Sequence, residues 1–169
     1  TETVAGNGAA RNGCVSAYRY ARDHHNARVV LAPIPMWPYD DLMKVNDGEP
    51  ADKRLEFDFF NETPADSMVF RAETTDGRVH TIHFDVDILI SRIRQRAEKG
   101  ERAVVQLFDG GHNPTAYIIP KEDKRRIVKA AAEYGFTIAS DDTYLHETFN
   151  EEDKHTFAGV AQEMVDKGE

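Results

Sequence analysis

Two hydrophobic patterns alternate along the chain. Short apolar runs stand at Val29-Val30-Leu31-Ala32, from Ala103 to Phe108, and from Phe136 to Ala139. Runs of this length and character suit strands of a parallel sheet that is covered on both faces. Around them lie stripes at i, i+3, i+4, i+7 spacing, the signature of amphipathic helices. These are Cys14, Ala17, Tyr18 and Ala21; Val86, Leu89, Ile90, Ile93 and Ala97; Ile127, Val128, Ala131 and Tyr134; and Phe157, Val160, Ala161, Met164 and Val165. Their borders carry the expected punctuation, with Asp85 as an N-cap, Gly100 as a stop, Pro120 as an opener and Gly135 as an end. Glu151, Glu152 and Asp153 suit the first turn of the last helix, and Asp141 is placed at the end of the strand that begins at Phe136. Strand–helix alternation implies an α/β fold with a mainly parallel sheet and helices on both faces, a three-layer sandwich.

Residues 46–80 interrupt this rhythm. They are polar and contain Gly48, Pro50 and Pro64, with one strand candidate from Leu55 to Phe60. Met68 to Glu73 and Val79 to Phe84 flank Asp76-Gly77, a two-residue hairpin signal. The whole chain, residues 1–169, therefore reads as one domain, or a large piece of one, with 46–80 as an inserted hairpin excursion. Its abrupt start at Thr1 and its end just after a helical stripe suggest that it is cut from something longer.

Composition narrows the function classes. With 169 residues and 40% hydrophobic content, a core is affordable. The net charge of −9 and a pI near 5.2 argue against a nucleic-acid surface and against anionic membrane. The cluster Lys121, Lys124, Arg125 and Arg126 is interleaved with Glu122 and Asp123 and reads as a solvated helix face. A single cysteine, Cys14, allows no intrachain disulfide, which fits the cytoplasm. No apolar run reaches the length of a membrane span, and no signal peptide is visible. His80 and His83 point to opposite faces of a strand, so no metal site is expected there. His24-His25 fit a helix C-terminus, and Cys14 fits a core position.

Candidate chemistry concentrates where strands end. Trp37, Asn113 and Asp141 follow the C-terminal ends of strands, and that rim is where open parallel sheets bind ligands. Gly6-Asn7-Gly8 opens a helix, whose first N–H groups suit an anion. Taken singly, each cluster has a plainer reading: a tight turn at 6–8, a core or interface anchor at Trp37, a turn at Asn113-Pro114, a helix cap at Asp141-Asp142. Together they supply a phosphate cradle, an aromatic face, hydrogen bonds from Asn113 and Tyr144, and a carboxylate. Pyridoxal phosphate, a phosphorylated aromatic cation with a ring hydroxyl, needs all four.

Four segments occur in the order found in class I/II aminotransferases, which are fold-type-I pyridoxal-phosphate enzymes. They are Val4-Ala5-Gly6-Asn7-Gly8-Ala9-Ala10, Pro35-Met36-Trp37, His112-Asn113-Pro114-Thr115 and Ser140-Asp141-Asp142-Thr143-Tyr144. The chain resembles the middle of that family's large domain over most of its length, with 46–80 the poorly fitting part. The resemblance implies that Gly6, Asn7 and Gly8 hold the phosphate and that Trp37 stacks on the ring. It implies that Asn113 and Tyr144 bond the ring hydroxyl oxygen and that Asp141 pairs with the ring nitrogen. It further implies amino-acid and 2-oxo-acid substrates and a homodimer.

The chain departs from the pattern in two ways. Ala116 stands where the family usually has Gly. The family's Schiff-base Lys lies further beyond the Asp than Glu169 does, and neither Lys154 nor Lys167 is assigned to that role. The chain as given is therefore expected to lack turnover. A carbon–sulfur lyase of the same fold and a non-catalytic binding or dimerisation module remain alternatives to a transaminase. A nucleotide-binding doubly wound domain is weakened, because Gly6-Asn7-Gly8 lacks a third glycine at fingerprint spacing.

Overall fold

The apolar runs do become strands of one parallel sheet. The computed structural model describes residues 10–33, 43–60, 69–113 and 115–169. Among them β1 (Val29–Leu31), β2 (Glu56–Asp58), β5 (Ala103–Gly110) and β6 (Thr137–Tyr144) pair in the order β2-β1-β5-β6, with every neighbour parallel. β5 is buried along its whole length, as a central strand covered on both faces must be.

Four described helices flank the sheet: α1 (Ala10–His25), α2 (Val86–Glu98), α3 (Lys121–Tyr134) and α4 (Phe157–Asp166). Period-two alternation sorts their contacts. Val30 and Val104 point to the α1 side, where they meet Cys14, Tyr18 and Ala21. Leu31, Val105 and Leu107 point to the other side, towards Leu89 and Ile93 of α2 and Ile127 and Ala131 of α3. Each large side chain buried here contributes about 1.5–3 kcal/mol. The helices thus cover both faces, in agreement with the expected α/β sandwich.

Local signals set the borders. Asp85 caps α2, its Oδ1 accepting from the N–H of Asp87 (3.0 Å) and Ile88 (3.2 Å). Gly135 ends α3 in the left-handed conformation, φ 66°. β3 (Phe70–Thr75) and β4 (Arg78–Phe84) form an antiparallel hairpin around Asp76 (φ 53°) and Gly77 (φ 72°), the paired positive angles of a two-residue turn.

Several expectations need correction. Glu56–Asp58 lies inside the stretch read as an excursion, yet it joins the main sheet beside β1. Asp58 anchors it: Arg96 and Arg92 of α2 reach its carboxylate at 2.7 Å and 3.1 Å, and its carbonyl accepts from Ala32 N–H. Polar composition hides such an edge strand, because its pairing is made by backbone and by tertiary ion pairs. β6 runs past Ala139 to Tyr144, so Asp141 lies within the strand and does not end it. Glu151–Asp153 makes a separate 3-10 turn, and the last helix starts at Phe157 behind Thr156, whose Oγ1 accepts from Gly159 N–H at 2.9 Å. Val165 is exposed, not on the buried face of α4. No described helix is long and apolar enough to cross a membrane.

Candidate functional site

The rim is assembled where β5 and β6 end. Their pairing holds register through Phe108↔Asp141, then slips so that Gly110 faces Tyr144. β6 thereby carries more residues than β5 over the same step, a bulge of the kind that re-aims side chains at sheet rims. Gly110 is required there. Its φ is 71°, and a Cβ would lie 2.6 Å from the Leu145 backbone. The missing side chain lets the end of β5 close against Tyr144-Leu145.

From Gly110 the chain enters the loop that carries Asn113. The loop is tied at its base: His112 N–H donates to Tyr117 O (2.9 Å) and Ala116 N–H donates to His112 O (2.6 Å). His112 Nδ1 and Thr115 Oγ1 are 2.9 Å apart. Ala116 sits at φ 56°, a left-handed conformation that favours glycine. The usual family residue at this place is thus explained by the backbone, and the alanine adopts the same turn under strain. Asn113 Nδ2 donates to Tyr144 Oη at 3.0 Å, so the two residues separated in sequence meet across the rim.

Asp141 is half-buried on β6 and shares a face with Ala139, which packs towards α1. Its Oδ1 accepts from Thr143 N–H (3.0 Å) and Thr143 Oγ1 (2.6 Å). Among the described residues its Oδ2 takes no hydrogen bond. Cys14, in the N-terminal half of α1, feels that carboxylate: its thiol is pushed up to about 11, by burial first and then by the charge of Asp141. Asp141 therefore lies on the side of the sheet that α1 covers. Gly6, Asn7, Gly8 and Trp37 themselves lie outside the described residues. The structure brings together Asn113 and Tyr144, sets Asp141 on the same strand as Tyr144, and leaves Asp142 exposed.

Sequence reading missed two features beside this rim. Lys124 is not on a solvated face; its side chain is 0% exposed and ion-paired with Asp109, itself 4% exposed. Lys124 Nζ also donates to His155 O (2.8 Å), and Phe157 N–H donates to both Asp109 oxygens (3.1 and 3.2 Å). Burial lowers the Lys124 pKa, and Asp109 holds it up. His155 is lowered too, by burial and then by Lys124. A signal was present: Lys124 stands three residues before Ile127 and seven before Ala131, on their stripe. A carboxylate ending the apolar run at Asp109 also demands a partner. The second feature is His112, which is 4% exposed and packs between Phe108 (ring centroids 4.8 Å) and Phe70 of β3 (5.1 Å). On the hairpin itself, His83 Nε2 lies 2.9 Å from Glu73.

A family model described as aminotransferase class I and II matches residues 65–166, a span containing Asn113, Asp141 and Tyr144. An aspartate aminotransferase of Streptomyces avermitilis is 26% identical over 139 residues, covering 82% of this chain and 28% of the relative. The chain thus spans about a quarter of the length of that curated relative. No solved structure matches.

Proposed function

The chain belongs to the class I and II aminotransferase family, and on that premise we propose that it forms part of a pyridoxal-phosphate-dependent transaminase that moves an amino group between an amino acid and a 2-oxo acid. The observation that carries this reading is the 3.0 Å contact of Asn113 with Tyr144 in a strand that also presents Asp141 three residues earlier. The donor set fits the cofactor. Asn113 Nδ2 and Tyr144 Oη form a polar pair for a ring hydroxyl oxygen, and the Oδ2 of Asp141, which takes no hydrogen bond among the described residues, suits a protonated ring nitrogen. When bound, pyridoxal phosphate supplies an electron sink for carbanions beside the substrate nitrogen.

The chain's own residues bind and tune. Asp141 keeps a ring nitrogen protonated by placing a fixed negative charge beside it, and Thr143 orients that carboxylate through Oδ1. Asn113 and Tyr144 hold the ring by hydrogen bonds. Gly6, Asn7 and Gly8, which precede α1 in sequence, would offer backbone N–H groups to the phosphate, and Trp37 would offer its ring face. The protein is proposed to act as a homodimer in the cytoplasm.

The test is made on the full-length protein. Added pyridoxal phosphate should develop a bound visible absorbance that borohydride fixes, and amino-group transfer to a 2-oxo acid should exceed release of pyruvate and ammonia. No bound absorbance would refute the cofactor reading. Pyruvate and ammonia without transfer would replace the transaminase with a carbon–sulfur lyase.

A further inference from the structure

We propose that His112 is a positioning residue for the Asn113–Tyr144 pair and the joint through which the β3–β4 hairpin braces the site. Three observations meet at its ring and backbone. The ring is nearly fully buried and is wedged between Phe108 of β5 and Phe70 of β3. Its Nδ1 meets Thr115 Oγ1 at 2.9 Å, and its own backbone N–H and C=O close the turn on Tyr117 and Ala116. The residue that follows is Asn113, whose exposed side chain reaches Tyr144.

The physical argument is one of constraint. Asn113 projects from the surface, and a surface amide holds one rotamer only if its backbone is fixed beneath it. His112 fixes that backbone at three points and anchors them to β5. The anchor extends to the hairpin: Phe70 and Phe84 also pack on Tyr117, at 5.9 and 6.1 Å between ring centroids. The β3–β4 hairpin thus reaches the loop with two aromatic rings, one from each strand. A well-packed site group depends on such support for its geometry.

The bond between Asn113 and Tyr144 is an observation that stands without any cofactor; its use in holding one rests on the proposed function. The experiment separates the two. Full-length protein is prepared as wild type, His112→Phe, His112→Asn and Thr115→Val. Phe keeps a ring and removes Nδ1; Asn keeps a polar atom near the Nδ1 place; Val removes the Thr115 hydroxyl at a half-buried position and leaves the ring intact. The first readout, without cofactor, is the NMR cross-relaxation between the Asn113 side-chain amide and the Tyr144 ring. It is expected to weaken to a similar degree in His112→Phe and Thr115→Val, which lose the same hydrogen bond, and to weaken in His112→Asn as well, which loses the ring between Phe108 and Phe70. The second readout is pyridoxal-phosphate affinity, expected to fall about tenfold in His112→Phe, the worth of one hydrogen bond, and to fall also in His112→Asn, where the ring packing is lost. An unchanged cross-peak in Thr115→Val, or in a folded His112→Phe, overturns the proposal. A weakened cross-peak alongside wild-type protein that binds no cofactor keeps His112 as the positioning residue and refutes the cofactor reading instead.

Discussion

Asp109 and Asp141 are two carboxylates near the C-terminal ends of neighbouring strands, and the fold treats them in opposite ways. Asp109 is buried and committed: Lys124 pairs with it, and Phe157 N–H binds both its oxygens at the start of α4. Asp141 is half-buried, with one oxygen held by Thr143 and the other without a bond among the described residues. A buried charge persists only where partners satisfy it. Completeness of partnership therefore separates a carboxylate that holds the fold from one left for a ligand, although the two stand one register step apart around β5 and β6.

The largest break of this contrast is Lys124→Met. Methionine fills a similar volume but leaves Asp109 buried without its cation, which costs about 3–5 kcal/mol. Denaturant unfolding should show that loss, together with early release of α4, because Asp109 and the His155 carbonyl both lose their shared partner. A loss under about 1 kcal/mol, the range of exposed pairs, would mean that the pair is worth no more than a surface contact.

Asp141→Asn sharpens the contrast from the other side. Unfolding free energy should stay within about 0.5 kcal/mol of wild type, as for sites outside buried networks. Turnover of the cofactor-loaded, full-length protein should drop about 10²-fold, the size that follows loss of one preorganised charge or donor at a reacting centre. Equal damage to stability and turnover would erase the distinction between the two carboxylates.

What was legible in the sequence follows the same division. Local rules placed the buried stripe of α1, the Asp85 cap, the Gly135 stop and the Asp76-Gly77 turn, because each depends on residues within a turn or two of one another. The rim pair of Asn113 and Tyr144 was legible too, as two polar clusters that each follow an apolar run. Contacts that only the fold creates were hidden. Lys124 meets Asp109 from the next element, so a basic cluster concealed a core residue. β6 continues through Ser140, Asp141, Asp142 and Thr143, where backbone pairing with β5 replaces any apolar pattern. His112 looked like part of a motif, and its two aromatic neighbours come from separate strands.

Ala116→Gly tests the loop between the two carboxylates. Its φ of 56° costs an L-residue about 1–2 kcal/mol, against about 0.4–1 kcal/mol of added unfolded-chain entropy for glycine. The variant should therefore gain about 0.5–1 kcal/mol by thermal or denaturant unfolding. A loss of stability would show that the loop does not hold this residue in the left-handed region.

The smallest effect is a titration. The Cys14 thiol is raised from 9.0 to about 11, by burial first and by Asp141 second. Thiolate absorbance at increasing pH should thus rise late in wild type and earlier in Asp141→Asn, with only part of the shift removed because burial remains. The folded thiol is the more protonated one, so its contribution to stability is present below 9.0 and is lost as pH rises through about 11. Asp141→Asn should soften that alkaline loss. Asp109→Asn should leave the Cys14 titration where it is, since the carboxylate that acts on Cys14 from β6 is Asp141. The thiol then reports, without any cofactor, which of the two carboxylates faces α1.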